Sequence, residues 1–199
     1  MPRRLRYLCA LALSLACAAQ TIAQDAVAPP SEKNIALEAW TRAGEPGPWH
    51  AFLSARAGKW NVAGRIWNDP EGEPSLSHSE SRLEMILGGR FLQERLKGES
   101  GGRKYEGLGL LGCDNADSTV TAVWVDSLNT MTSVLTGPAG RPGQPLELRG
   151  RFTEPASGRL MNLRVVITFV GADEHRWDYF GAPEGFDEAR LMELVYTRR

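Results

Sequence analysis

From Gly58 to the C-terminus the chain is written in short runs of alternating apolar and polar residues, each closed by a cluster of turn formers. Trp60, Val62, Gly64 and Ile66 alternate with Lys59, Asn61, Ala63 and Arg65. Successive side chains of a strand point to opposite faces, so a period of two predicts a strand with one face buried. Asn68-Asp69-Pro70-Glu71-Gly72 then reads as a turn. Comparable runs recur at about 76–86, 90–98, 103–111, 119–126, 131–136, 145–153, 160–170, 174–181 and 190–198. Between them stand Gly88-Gly89, Gly98 to Gly102, Asp114-Asn115-Ala116-Asp117, Gly137 to Gly143, Ala156-Ser157-Gly158 and Gly171-Ala172-Asp173.

About ten short strands at this spacing predict an all-β fold. No long helical pattern lies between strands, which argues against a parallel α/β sheet. The loops are short, so neighbours pair as successive hairpins. That order predicts a single closed antiparallel up-and-down β-barrel, since closure removes the exposed strand edges. Upstream, Ile35, Leu37, Ala39 and Trp40 predict a short helix over 33–43, broken by Gly44 to Pro48. Trp49, Phe52 and Leu53 have i, i+3, i+4 spacing and predict a second short helix over 49–56. Residues 24–32 are small and Pro-rich and read as a flexible lead-in to one domain over 33–199.

The first residues have the order of an export signal. Arg3, Arg4 and Arg6 precede an apolar run from Leu8 to Ala19, and Thr21-Ile22-Ala23 supplies small residues for cleavage after Ala23. The run is too short to cross a bilayer, which needs about twenty residues. Arg3-Arg4 hints at a twin-arginine signal, but Arg6 stands where an apolar residue is expected, so the general export route is the reading. A lipid anchor on Cys17 is the alternative, with Ser14 a poor fit three positions earlier. The mature chain is expected in the periplasm or outside the cell. Three of the 23 Lys and Arg leave with residues 1–23, and none of the 24 acids does, so the net charge becomes about −4. That balance attracts neither nucleic acid nor anionic lipid. Cys113 is then the only cysteine, which leaves no intrachain disulfide.

Several motifs occur in a fixed order. Gly58-Lys59-Trp60 opens the first strand after a short helix. Leu87-Gly88-Gly89-Arg90-Phe91-Leu92 is followed by Tyr105-Glu106-Gly107-Leu108-Gly109. Trp124-Val125-Asp126-Ser127 with Thr130 comes next, and the chain ends Tyr196-Thr197-Arg198 before its last residue. Gly-x-Trp at the first strand resembles the opening of lipocalins and their calycin relatives. There the Trp closes one barrel end and a basic residue near the chain end packs on it. The whole set resembles the bacterial family called domain of unknown function 1579, from about His50 to the C-terminus. The resemblance implies a calycin-like barrel and no established reaction. One departure is Cys113, where the family pattern leads one to expect Tyr. Independently, an Arg can stack on the face of Trp60, and Arg198 shares the face of Tyr196 two residues earlier. Gly58, Trp60 and Arg198 are therefore the expected closure of the barrel.

Gly107-Leu108-Gly109-Leu110-Leu111-Gly112 matches the dinucleotide fingerprint, but that motif needs a following helix and here a Val/Thr-rich strand follows. The glycines read instead as relief in a tightly curved strand. His50, His78 and His175 are far apart and show no metal-ligand spacing. Asp173, Glu174, His175 and Asp178 read as a solvated hairpin tip. Cys113 beside Asp114 reads as an inert small residue. Asp126 and Ser127 lack a nucleophile elbow. No cofactor, metal or membrane span is expected, and the oligomeric state stays open.

The interior carries the functional expectation. Trp124 and Asp126 share a face with Val120 and Ala122; Leu92, Glu94 and Leu96 share one, opposite Phe91, Gln93 and Arg95. A barrel of this size holds one small ligand. Trp124, Asp126, Arg90 and Tyr105 are the candidate ligand-binding residues, against a reading in which Asp126 caps a turn and Arg90 pairs on the rim. The first functional reading is a binder of a small, largely apolar molecule. The second is a barrel enzyme using an interior carboxylate such as Asp126 or Glu94. The third is an envelope interaction module whose interior is filled by side chains.

Overall fold

The computed structural model describes residues 32–100 and 102–199. The export segment and the lead-in up to residue 31 lie outside the described residues. Two helices come first, α1 (Glu32–Ala43) and α2 (Pro48–Ser54). Ten strands follow: β1 (Gly58–Ile66), β2 (Ser75–Ile86), β3 (Phe91–Ser100), β4 (Arg103–Asp114), β5 (Thr119–Asp126), β6 (Ser133–Pro138), β7 (Leu146–Thr153), β8 (Leu160–Phe169), β9 (Glu174–Pro183) and β10 (Ala189–Arg198). Each pairs antiparallel with its chain neighbours, and β1 closes on β10 from Trp60↔Arg198 to Ile66↔Met192. This is the closed up-and-down barrel that the alternation predicts. β4 runs three residues past its expected end, to Asp114, and β6 starts at Ser133 rather than 131. Asn129 holds the preceding residues in a turn, because its Oδ1 accepts the Met131 N–H at 2.7 Å.

The alternation sorts cleanly into inside and outside. On β2, Ser77, Ser79, Ser81 and Leu83 are buried while their neighbours are exposed. On β8, Leu163, Val165, Ile167 and Phe169 face inward and Arg164 outward. The outer wall carries Arg82, Glu84, Lys97, Glu106, Glu147 and Arg149 in ion pairs. Charges outside and apolar residues inside reverse the order a lipid-embedded barrel needs. Among the described residues, no helix is long and apolar enough to cross a membrane.

α2 plugs one end. Pro48 stands in its first turn, where a missing N–H costs nothing. His50 Nδ1 accepts the Gly47 N–H at 2.9 Å, and Trp49 and Leu53 are buried against the barrel. Arg198 seals this end: its guanidinium carbon lies 4.4 Å from the Trp60 ring centre. Its Nη1 donates to Ala57 O (3.0 Å), its Nη2 to Ala55 O (2.8 Å) and Ala172 O (3.1 Å), and its Nε to Asp173 (2.8 Å). Such a stack contributes about 0.5–2 kcal/mol before the hydrogen bonds are counted. Gly58 sits at φ +139°, a conformation that favours glycine, and a Cβ there would press on Arg198 Nη1 at 2.8 Å. α1 buries no residue; Ile35, Leu37 and Trp40 are exposed.

Candidate ligand-binding site

Inside the barrel lies a cavity of about 350 Å³. Leu53, Arg56 and Phe169 line its floor above α2, and Leu128 and Met131 on the β5–β6 connection stand at the opposite, open end. Leu128 and Met131 are about 40% exposed, as a rim must be (39% and 41%). A filled interior is thereby excluded.

The lining is divided. Along β5 to β8 it is apolar: Ala122, Leu135, Leu163 and Ile167. Around β2, β3, β4, β9 and β10 apolar residues such as Leu83, Leu92, Leu96 and Leu194 are interspersed with polar ones: Ser77, Glu94, Tyr105, Tyr179 and Tyr196. Glu94 Oε1 accepts the Ser81 hydroxyl at 2.7 Å, and Tyr196 also donates to this carboxylate. Burial pushes the Glu94 carboxyl above the usual range, against the pull of those two hydrogen bonds. Burial raises Tyr105, Tyr179 and Tyr196 as well, and the negative charge of Glu94 adds to it. These three phenols therefore stay protonated donors.

Trp124 shows why β4 is glycine-rich. Its indole lies across β4: a Cβ on Gly107 would meet Cζ2 at 2.1 Å, and one on Gly109 would meet Cε3 at 3.2 Å. Outside the barrel the Phe91 ring covers Gly112 in the same way, 2.6 Å from where a Cβ would be. All three glycines of the apparent dinucleotide fingerprint are rests for aromatic rings. Trp124 Nε1 donates to Asp126 Oδ2 at 3.0 Å. Asp126 Oδ1 accepts the Leu128 N–H at 2.9 Å and the Asn129 amide at 3.1 Å. Asp126 thus borders the cavity mouth and caps the β5–β6 turn at once.

Of the sequence candidates, Trp124, Asp126 and Tyr105 line one cavity. Arg90 does not. Its Nε donates to Gly44 O at 2.8 Å and its Nη1 to Leu87 O at 3.3 Å, so it ties the α1–α2 linker to the β2–β3 turn outside the barrel. The residue precedes β3, and the turn carbonyls capture its guanidinium before it can reach the interior. The reading of 173–178 as a solvated tip also needs correction. β9 starts at Glu174, so alternation turns His175 inward, 5% exposed, where it stacks on Tyr196 at 4.4 Å and meets Trp60 edge-on at 4.6 Å. Burial first, then Arg56 and Arg198, lower its pKa to about 3, so the ring is neutral. Asp178 points outward yet is covered by Arg176 (2.9 Å) and Arg190 (3.4 Å). His78 is exposed on β2. Burial and Asp114 push the Cys113 thiol up, away from reactivity.

Sequence reasoning put Glu94 on an inward face but passed over Tyr179, Tyr196 and Arg56 as cavity residues. Tyr179 and Tyr196 each alternate correctly with their neighbours, which was the available signal. Arg56 follows the helix plug and carried none. Its guanidinium rests over Phe52 (4.7 Å) and Phe169 (5.4 Å), and its Nη1 donates to Gly171 O and Ala172 O.

A family model described as protein of unknown function (DUF1579) matches residues 45–198. The crystal structure of Rv2717c from M. tuberculosis is similar to this fold, with TM-score 0.54, 17% identity, and coverage of 78% of this chain and 99% of that one. A redesigned β-barrel, mFAP0, bound to DFHBI gives TM-score 0.40 and 13% identity over 72% of this chain and 99% of its own. A fluorescence-activating β-barrel designed de novo gives TM-score 0.42 and 11% identity over 73% of this chain and 98% of its own. At 17% identity the likeness to Rv2717c concerns the fold alone. No curated protein matches the chain.

Proposed function

The chain belongs to the DUF1579 family of proteins of unknown function, and from that premise we propose that its barrel holds one small, largely apolar molecule. The observation that carries this reading is the cavity of about 350 Å³, lined mostly by apolar side chains with a few converging polar groups. Side chains large enough to fill it would have been the simpler solution for stability, since voids in a core cost about 24 cal/mol per Å³. Acid–base catalysis by Glu94 finds less support. The carboxylate is engaged by the hydroxyls of Ser81 and Tyr196, and the phenols around it are pushed upward, away from proton transfer near neutral pH.

The test is displacement of an environment-sensitive dye from the full chain, paired with native mass spectrometry of protein purified from its own source. A dye bound by the unaltered protein and lost from Ala122→Phe, which fills the cavity from β5, supports the reading. Equal binding to both proteins overturns it.

Export is part of the proposal. The basic start and the apolar run from Leu8 to Ala19 support removal of residues 1–23 and delivery to the periplasm or beyond. N-terminal sequencing of protein from its own envelope fraction should read Gln24 first, and an intact Met1 would end the idea.

A further inference from the structure

A carboxylate inside an apolar cavity is costly unless a cation answers it. Glu94 is such a group. None of the ion pairs among the described residues includes it. Its two hydrogen-bond partners, Ser81 and Tyr196, are neutral hydroxyls. Its partners across the sheet are the apolar Leu83 on β2 and Gly109 on β4, and neither offers the carboxyl a counter-charge. Arg56, the arginine of the cavity floor, is stacked on Phe52 and Phe169 and bound to β8–β9 carbonyls instead.

The surroundings of Glu94 are aromatic. A Cβ on Gly109 would lie 3.2 Å from both Glu94 Cβ and Trp124 Cε3, so the Glu94 side chain leaves its strand beside the indole. Tyr105, Tyr179 and Tyr196 are close enough to feel the charge of Glu94. Glu94 and these four aromatic residues border one cavity, with Asp126 at its mouth, and together supply what holds an organic cation: a counter-charge, and aromatic rings that attract it.

We infer that the ligand of this cavity carries a positively charged nitrogen, with Glu94 as its counter-ion and Trp124, Tyr105, Tyr179 and Tyr196 around it. The inference rests on the cavity-binding reading and adds the ligand's class: an apolar amine whose tail lies along the β5–β8 wall and whose ammonium group meets the β3–β4 and β9–β10 side. Ser81 and Tyr196 hold the carboxylate in place by donating to it. They are positioning residues.

The experiment compares octylamine, octanol and octanoate binding to the full chain at neutral pH. Calorimetry gives the affinities, and the fluorescence of Trp124 and Trp177, both in the lining, reports occupancy. Octylamine should bind about ten- to a hundred-fold tighter than octanol, the factor a charge-assisted hydrogen bond carries. Octanoate should be the weakest. Glu94→Gln should bring octylamine to the level of octanol while octanol changes by about two-fold or less. The ranking on the unaltered protein decides the matter alone should that variant not fold. Octanol equal to octylamine, octanoate tighter than either, or a preference that survives Glu94→Gln each overturns the inference and leaves a binding cavity. Failure of all three to bind brings down the cavity reading itself.

Discussion

The two sides of the barrel wall are both antiparallel, yet they present different chemistry to the same space. Strands β5 to β8 put Val120, Ala122, Leu135, Leu146, Leu148, Val165 and Ile167 inside, and the last three are fully buried. Strands β9, β10, β2, β3 and β4 put Leu83, Leu92, Leu96 and Leu111 inside as well, and set among them Ser77, Ser79, Ser81, Glu94, Tyr105, Tyr179, Tyr196 and His175. Burial of the first set stabilises the fold at about 25 cal/mol per Å² of apolar surface. Much of the second set must be desolvated, and only part of that cost returns through hydrogen bonds such as Ser81 to Glu94. The first side is stabilised by apolar burial alone, and the second adds to its own apolar core the polar groups that a ligand can use.

That contrast can be broken most easily on the apolar side. Leu148 is fully buried but is not part of the cavity lining, so Leu148→Ala should lower unfolding free energy by about 2–5 kcal/mol in denaturant while ligand ranking stays the same. A loss below about 1 kcal/mol would mean that side is not the stabilising one. Next in size is Gly107→Ala. The added methyl would overlap the Trp124 ring, so about 1–3 kcal/mol of stability and the native tryptophan emission should both be lost. An unchanged emission maximum would contradict the placement of the indole across β4.

The polar side predicts a dependence on acid. His175 has its pKa lowered from 6.5 to about 3, so the unfolded chain takes up a proton that the native protein refuses. Its stabilising share is complete above pH 6.5 and falls away as the pH drops toward 3, by on the order of 1 kcal/mol at pH 5.5. His175→Phe keeps a ring between Trp60 and Tyr196 and should flatten that part of the stability–pH curve. The smallest effect has the opposite sign. The carboxyl of Glu94 is raised in the folded state, so its ionisation disfavours folding increasingly as pH rises above 4.5. Empty Glu94→Gln protein should therefore melt slightly higher than the parent at neutral pH, and no lower. A lower melting temperature would show that Ser81 and Tyr196 already satisfy the carboxylate.

Much of this fold was legible in the amino-acid order. The alternation of Trp60, Val62 and Gly64 gave β1, and the glycine and aspartate clusters placed the turns within a few residues. Trp124, Asp126 and Tyr105 could be named because each sits on a strand whose other inward residues are apolar or small. Arg90 looked equivalent beside Phe91, but a residue at a strand end is as free to bond the turn as to enter the barrel. His175 looked solvated because acidic neighbours surround it in sequence, although alternation sends those neighbours to the other face.

Strand number, neighbour order and closure were thus settled by local properties: a two-residue period, the turn chemistry between runs, and the need to leave no strand edge unpaired. The meeting of Glu94 with Tyr105, Tyr179 and Tyr196 was decided only in three dimensions. Those residues come from four strands, and which of their side chains share one level of the cavity depends on the stagger between strands and the tilt that closes the barrel. Alternation tells each strand which side to turn inward, but carries no information about who stands across the interior.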